Sequence, residues 1–195
     1  MYKKFFKRFF DITFSILGLP LFGLILLFIG PIIYFSDKGS IFYNAPRLGK
    51  NGEIFIMYKF RSMKMNAPDI RNQDGSTYNA ENDPRLTRIG RLLRKTSIDE
   101  TPQILNVLKG DMSFIGPRPD LSSQIIYYDL NKELKFKMRP GITGYAQVKG
   151  RNSLTWKEKN QLDRFYVMNA SFILDIKILI LTVIKIIKAE GVNVK

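Results

Sequence analysis

Asp99 and Glu100 stand side by side at the start of a predicted helix that runs into TPQILNVLKG. Two readings of the pair compete. In the first, Ser97 is an N-cap and Glu100 sits at N3, a Ser-x-x-Glu capping box, with Asp99 favoured by the helix dipole. In the second, consecutive helical residues point roughly 100° apart, so adjacent carboxylates can take different jobs around one phosphate. One attacks and the other holds a metal. Backbone N–H groups of the first helical turn would help to bind that phosphate. The readings are compatible, because a capped helix start can also present a nucleophile.

Basic residues crowd this pair: Arg85, Arg88, Arg91, Arg94 and Lys95 before it, Lys109 and Arg118 after it. For most of them a solvated, lipid-facing basic surface is a sufficient account. Arg118 differs. It lies between Pro117 and Pro119, where two rings restrict the backbone and aim a guanidinium able to grip phosphate bidentately. A purely structural role for so rigid a turn is the alternative. The whole chain carries 31 Lys and Arg against 17 Asp and Glu, a formal charge of +14 over 195 residues, so an anionic partner is expected. Nucleic acid, acidic headgroups and phosphorylated small molecules all fit that sign. Cysteine and histidine are both absent. That excludes disulfides, Cys or His zinc sites, a Cys nucleophile and a His base, and leaves carboxylates, hydroxyls, lysines, arginines or a carboxylate-bound metal.

The elements that must position these groups begin with residues 12–35, an apolar run long enough to cross a bilayer. Lys3, Lys4, Lys7 and Arg8 precede it, as in a signal peptide, but no small-residue cleavage site follows, so removal is not expected. Pro20 and Pro31 lie inside the run, and a break is expected near Pro20. Lys38, Arg47, Lys50, Lys59 and Arg61 on the far side match the positive charge before it, so neither orientation of a span is favoured. The pattern suits a hairpin with both ends in the cytoplasm. A kinked spanning helix is the alternative.

Residues 39–64 hold short apolar segments around LGKNGE, whose Asn-Gly predicts a β-hairpin. Residues 66–84 read as a polar surface loop or mobile lid. Helices are expected over 85–95 and 96–108, the second closed by Gly110, and an amphipathic helix over 121–138. Residues 141–150 read as a turn-rich connection. Residues 172–187 are strongly apolar, with Asp175, Lys177, Thr182, Lys185 and Lys188 on one side of a helical wheel, which predicts a helix lying in the membrane interface or docked on the domain.

Four blocks then join into a recognisable order: KRFFD at Lys7 to Asp11, YKFRSM at Tyr58 to Met63, NDPRLTRIGRLLRKTSIDETPQILNVLKGDMSFIGPRP, and RPGITGYAQVKGRN at Arg139 to Asn152. With LDRFYVMNASFILDIKIL they span nearly the whole chain. The sequence resembles the bacterial sugar transferase family, the monotopic phosphoglycosyl transferases. The resemblance implies an α+β, mainly helical fold. A re-entrant membrane helix would occupy residues 1–37, and residues 38–195 would form a compact cytoplasmic catalytic domain with a small hairpin and interfacial helices, the two making one functional unit.

It further implies that Asp99 attacks the β-phosphorus of a UDP-sugar, by family-level expectation an N-acetylated amino sugar. UMP leaves, and undecaprenyl phosphate takes the phosphosugar at the cytoplasmic face of the bacterial inner membrane. Glu100 would bind Mg²⁺. Arg94 and Arg118 match phosphate-binding positions, and Lys59, Arg61, Gln147 and Arg151 are further candidates for nucleotide or sugar contacts, while Asp163 and Tyr166 could be structural. Membrane lipids are expected partners and nucleic acid is not; the apolar helix could support a homodimer.

Two departures stand out. The family's Ser-Pro break falls where this chain has Gly23 and Leu24, and Thr101 replaces the leucine that usually follows the dyad. The rival from another class is a membrane-anchored basic protein that binds nucleic acid or lipid without catalysis. That rival explains the charge but leaves the acidic pair and the Pro-Arg-Pro turn without a task.

Overall fold

The apolar run forms one helix, α1 (Lys7–Asp37), in the computed structural model, which describes residues 1–70, 78, 80, 83–128, 133–150 and 154–188. The helix continues through Pro20 and Pro31, so the break expected at Pro20 is not an interruption. Each proline removes one amide donor, and the turns on either side keep their own hydrogen bonds, which is enough to hold a long helix together. By length and composition α1 could cross a membrane. Phe9, Leu17, Leu21, Leu24, Leu27 and Phe28 along it are exposed.

Both ends of α1 are fastened to the same body. At its start, Lys7 Nζ lies 2.6 Å from Asp175, and Arg8 donates to the Val107 and Leu108 carbonyls at 2.6 and 2.9 Å. Asp11 accepts from the Ser113 hydroxyl and the Phe114 amide, each at 3.0 Å. At its end, the Arg61 guanidinium grips both oxygens of Asp37 at 2.6 Å and reaches the Ile33 carbonyl at 3.3 Å. The KRFFD and YKFRSM blocks are thus the two moorings of this helix.

The hairpin forms as expected. β1 (Phe42–Leu48) pairs antiparallel with β2 (Ile54–Phe60), in register from Phe42 opposite Phe60 to Leu48 opposite Ile54. Asn51 and Gly52 take the left-handed backbone the turn needs, with φ of 58° and 79°. Ala45, Leu48, Met57 and Phe60 turn inward. Two helices follow, α2 (Arg88–Thr96) and α3 (Gln103–Lys109). The Thr87 hydroxyl caps α2 by accepting from the Gly90 amide at 2.9 Å. Phe22 and Ile33 of α1 share a core with Phe60, Leu93 and Ile104, so the apolar helix, the hairpin and the two helices flanking the acidic pair rest on one set of side chains.

Beyond α3 the structure departs from expectation twice. Residues 141–150 are not a connection: β4 (Gly141–Thr143) pairs parallel with β3 (Ser113–Ile115), and α4 (Tyr145–Lys149) follows. Three-residue strands carry too little alternation to be read from sequence. The single helix expected over 121–138 is replaced by 3₁₀ turns at Ser122–Tyr127 and Leu134–Lys137. Tertiary contacts override its periodicity there, since the Tyr128 and Phe136 rings pack edge to face at 4.9 Å and Lys135 is drawn inward to Asp120.

α5 (Trp156–Asn169) starts on a Thr155–Glu158 capping box, and α6 (Phe172–Ile187) is capped by Ser171. On α6, Asp175 points into the body and the Thr182 hydroxyl meets Thr143 at 2.7 Å. Ile173, Ile176, Leu179, Ile180, Val183 and Ile187 face outward. The helix turns Asp175, Ile178 and Thr182 toward the body and presents much hydrocarbon to its surroundings.

Candidate active site

The acidic pair sits on a bend between helices. Ser97 ends α2 in the left-handed conformation, φ 58°, and Ile98–Glu100 form a 3₁₀ turn that leads through Pro102 into α3. The Ser97 side chain makes no capping hydrogen bond, so the capping box expected from Ser-x-x-Glu does not form. Ile98 packs into the core beneath α1 while Asp99, 7% exposed, is buried in the turn. Glu100 accepts from Lys59 Nζ at 2.6 Å.

Lys59 is placed on β2 by a residue whose spacing gave no sign of it. Asn106, fully buried on α3, accepts from the Tyr58 amide at 2.9 Å and donates to the Ile56 carbonyl at 2.7 Å. Its side-chain amide acts as a neighbouring strand would, satisfying one edge of β2 and fixing Lys59 opposite Glu100. A polar residue inside the apolar run ILNVL was the available signal.

Burial pushes the Asp99 carboxyl up to about 6; Lys59 opposes that shift, Glu100 adds to it, and Arg94 opposes it again. Arg94, on α2, donates from Nε to the Ser62 hydroxyl at 3.0 Å. Burial draws its own pKa down, and Asp99 and Asp83 work against that. At neutral pH the site therefore holds a mostly ionised, unusually basic carboxylate amid guanidinium and ammonium groups.

A cleft opens beside the dyad, lined by Arg47, Lys59, Glu100, Gln103, Arg118 and Gln147, with Gly141 and Ile142 at its margin. Arg118 is exposed on its Pro-Arg-Pro turn, and the turn is held by backbone crossing backbone. The Gly116 amide donates to the Thr143 carbonyl and the Gly141 amide to the Pro117 carbonyl, both at 2.9 Å. A Cβ on Gly141 would stand 2.1 Å from the Gly116 nitrogen, and one on Gly116 2.5 Å from the Arg139 carbonyl oxygen, so neither position has room for a side chain. Past the turn, the Asp120 carbonyl accepts from the Leu48 amide at 3.0 Å. The Asp120 carboxylate takes the Tyr128 hydroxyl and Lys135 Nζ, the latter at 2.6 Å.

Lys135 also lies 3.4 Å from Asp163, whose carboxyl burial pushes up to about 6 while Lys135 holds it down. Asp163 therefore belongs to the support of the Arg118 turn. Tyr166 donates to Asp175 at 2.7 Å.

Of the candidates read from the sequence, Lys59, Glu100, Arg118 and Gln147 line one cleft; Asp99 adjoins Glu100 in the same turn, and Arg94 is close enough to act on the Asp99 charge. Arg61 does not join them. Its guanidinium is spent on Asp37, Ile33, Ser40 and Met63, which makes it a mooring of α1 and not a substrate contact. Arg151 lies outside the described residues. Arg47 and Gln103, which also line the cleft, carried no motif that singled them out.

Among the described residues no three acidic, His or Cys side chains gather as a ready-made metal cage. Magnesium asks for less, commonly one or two carboxylates with the remaining ligands drawn from substrate phosphates and water. Asp99 and Glu100 offer hard oxygen donors of that kind, and a Glu100 oxygen already holds a cation, the Lys59 ammonium. The donor set fits.

The bacterial sugar transferase profile matches residues 2–189. The chain is 44% identical to the Bacillus subtilis sugar transferase EpsL over 187 residues, covering 96% of this chain and 90% of that protein. It is 37% identical over 205 residues to a Salmonella typhimurium protein named undecaprenyl-phosphate galactose phosphotransferase, covering 96% of this chain and 42% of that one. It is also 37% identical over 195 residues to an Aeromonas hydrophila protein named UDP-N-acetylgalactosamine-undecaprenyl-phosphate N-acetylgalactosaminephosphotransferase, covering 96% and 45%. The chain thus spans under half the length of these last two relatives.

Proposed function

The chain belongs to the bacterial sugar transferase family and is a sugar-phosphate transferase, and from that premise we propose that it moves a sugar 1-phosphate from a UDP-sugar to undecaprenyl phosphate, releasing UMP. The transferred sugar is an N-acetylated amino sugar. The observation that carries this reading is Asp99, a buried and unusually basic carboxylate beside a cationic cleft, seated on the core that also holds the apolar helix.

In the first step an Asp99 oxygen attacks the β-phosphorus. The bond from that phosphorus to the bridging oxygen breaks, and its electron pair leaves with UMP. In the second step a phosphate oxygen of the polyprenyl phosphate attacks the same phosphorus, and the Asp99 carboxylate departs unchanged, leaving a polyprenyl diphosphate sugar. Every reactant is anionic, so approach requires neutralisation. Lys59, Arg94 and Arg118 provide it from three elements. The raised pKa of Asp99 makes it a better nucleophile than an exposed carboxylate while leaving most of it ionised at pH 7. Glu100, with Asp99 beside it, would hold Mg²⁺, which when bound supplies further positive charge against the diphosphate.

Although α1 is unbroken at Pro20, the fastening of both its ends to one body supports a re-entrant placement, with both ends at the cytoplasmic face of the inner membrane. The outward hydrocarbon of α6 lies in the same interface.

The decisive experiment identifies the nucleotide released by purified, detergent-solubilised protein given Mg²⁺, polyprenyl phosphate and a panel of UDP-sugars that includes galactose and N-acetylgalactosamine. UMP release that stops with EDTA, and falls by at least about 1,000-fold in Asp99→Asn without loss of folded protein, is the expected result. UDP release would mean ordinary glycosyl transfer and overturn the reading. Cysteines placed at Lys3 and Lys38 should both be labelled only from the cytoplasmic side; labelling from opposite sides would establish a span.

A further inference from the structure

Gln147 stands on α4 with 8% of its surface exposed, and its two amide atoms have different surroundings. Nε2 donates to the Ile142 carbonyl at 2.9 Å. A carbonyl can only accept, so the side chain is fixed with its nitrogen toward Ile142 and its oxygen turned away. That oxygen, Oε1, is closed to solvent and has no hydrogen-bond partner in the protein, so a ligand group reaches it by a small shift of the side chain toward the cleft. Oε1 lies against Gly144, close enough that a Cβ added there would stand 3.2 Å from it. The residue borders the cleft it shares with Lys59, Glu100 and Arg118. A buried acceptor left unmatched is unfavourable, and an incoming acceptor such as a phosphate oxygen would be repelled. Only a donor suits it.

We propose that Gln147 is a specificity-determining residue of the donor site, its side-chain carbonyl accepting a hydrogen bond from an N–H or O–H of the bound UDP-sugar. The proposal rests on the UDP-sugar reading above. At neutral pH the diphosphate has no such hydrogen to give, so it falls to Lys59 and Arg118, while Gln147 reads one of the two ends of the donor. Those ends are the uracil, through its N3–H, and the sugar, through a hydroxyl or an acetamido N–H. A site built to accept a particular hydrogen bond discriminates strongly against an analogue that lacks the donor.

The test uses Gln147→Met, which keeps length and bulk but removes the amide acceptor, with UMP-release kinetics and calorimetric UMP binding. The expected result is a rise in KM for the UDP-sugar of about ten-fold with kcat within about two-fold. If UMP binding weakens by the same factor, the donor is the uracil N3–H; if it is unchanged, the donor is on the sugar. KM and UMP affinity both within about two-fold of wild type, in a protein that melts like wild type, would overturn the proposal.

A second arm needs no variant. Wild-type protein is offered an N3-methylated UDP-sugar and donors with single sugar hydroxyls or the acetamido group removed, and at least one should lose about ten-fold in kcat/KM. Equal use of all of them overturns the proposal while leaving the transferase reading intact. No UMP from any donor with wild type would overturn both.

Discussion

Lys7 with Asp175 and Lys59 with Glu100 are ion pairs closed to the same 2.6 Å, yet they stand in opposite settings. The Lys7 and Asp175 side chains are 8% and 6% exposed, and the Asp175 oxygens also take the Tyr2 hydroxyl at 2.5 Å and the Tyr166 hydroxyl at 2.7 Å. The Lys59 and Glu100 side chains are 19% and 24% exposed and open on the cleft. Distance alone says nothing about the task of a pair. A buried pair with its lone pairs filled cannot change partners without stranding a charge, whereas a pair at the edge of water can open when a better cation or anion arrives. The first fastens α1 to α6 and the second waits in the site.

The contrast is open to attack at its strongest point first. Lys7→Met strands the Asp175 charge, and stability in detergent should fall by about 3–5 kcal/mol; pairing it with Asp175→Leu should recover much of the loss. Denaturation curves of the two variants that coincide with wild type would show that the buried pair is no more committed than the exposed one. Lys59→Met should cost under about 1 kcal/mol of stability. It should nevertheless lower turnover about 10- to 100-fold, through lost neutralisation of the diphosphate. The same variant sharpens the comparison through metal titration calorimetry. With the ammonium gone from Glu100, Mg²⁺ should bind a few-fold more tightly, and weaker binding would mean that Lys59 supports the metal site instead of competing for it.

The smallest effect is on pH dependence. Burial raises Asp99 to about 6 from an ordinary value near 4, so the fold prefers its protonated form. Its contribution to stability is fully present below about pH 4 and is lost as pH climbs through about 6, while turnover by the proposed mechanism uses the ionised form and should rise as pH climbs through about 6. Asp163, also raised to about 6, adds a parallel slope to stability alone. Denaturation and UMP-release profiles should therefore run in opposite directions, and Asp99→Asn should remove part of the stability slope. Profiles that rise together would show that Asp99 is not the group titrating.

Asp99, Glu100, the basic run before them and Arg118 stood out in the sequence by type and spacing, while Lys59 and Gln147 were legible only through the family resemblance. Three of the four sequence blocks place Lys59, Glu100, Arg118 and Gln147 around one cleft, with Asp99 next to Glu100 and Arg94 close enough to act on the Asp99 charge. The hairpin and α6 were legible for a simpler reason, since Asn-Gly and a long helical period are local signals. What failed to show was set by partners distant in the chain. Arg61 is as basic as Lys59 and only two residues away, but Asp37 claims it, and nothing within YKFRSM states that. Asn106 hides its task because its hydrogen bonds go to the backbone of another element. Ser97 has the type and spacing of a cap, yet the chain turns left-handed there and its hydroxyl caps nothing. The parallel contact of β3 with β4 is three residues long and sets Gly141 opposite Ser113, too short a run for side-chain alternation to betray it.

The fastening of Lys7 to Asp175 has a consequence for biogenesis. Lys7 leaves the ribosome 168 residues ahead of its partner. The N-terminal mooring therefore cannot lock until synthesis has passed α5 and most of the body has been made. Until then α1 can settle in lipid only with its ammonium group unpaired at the surface, and a nascent chain that stops early never closes the latch. The pair thus couples seating of the helix to completion of the fold.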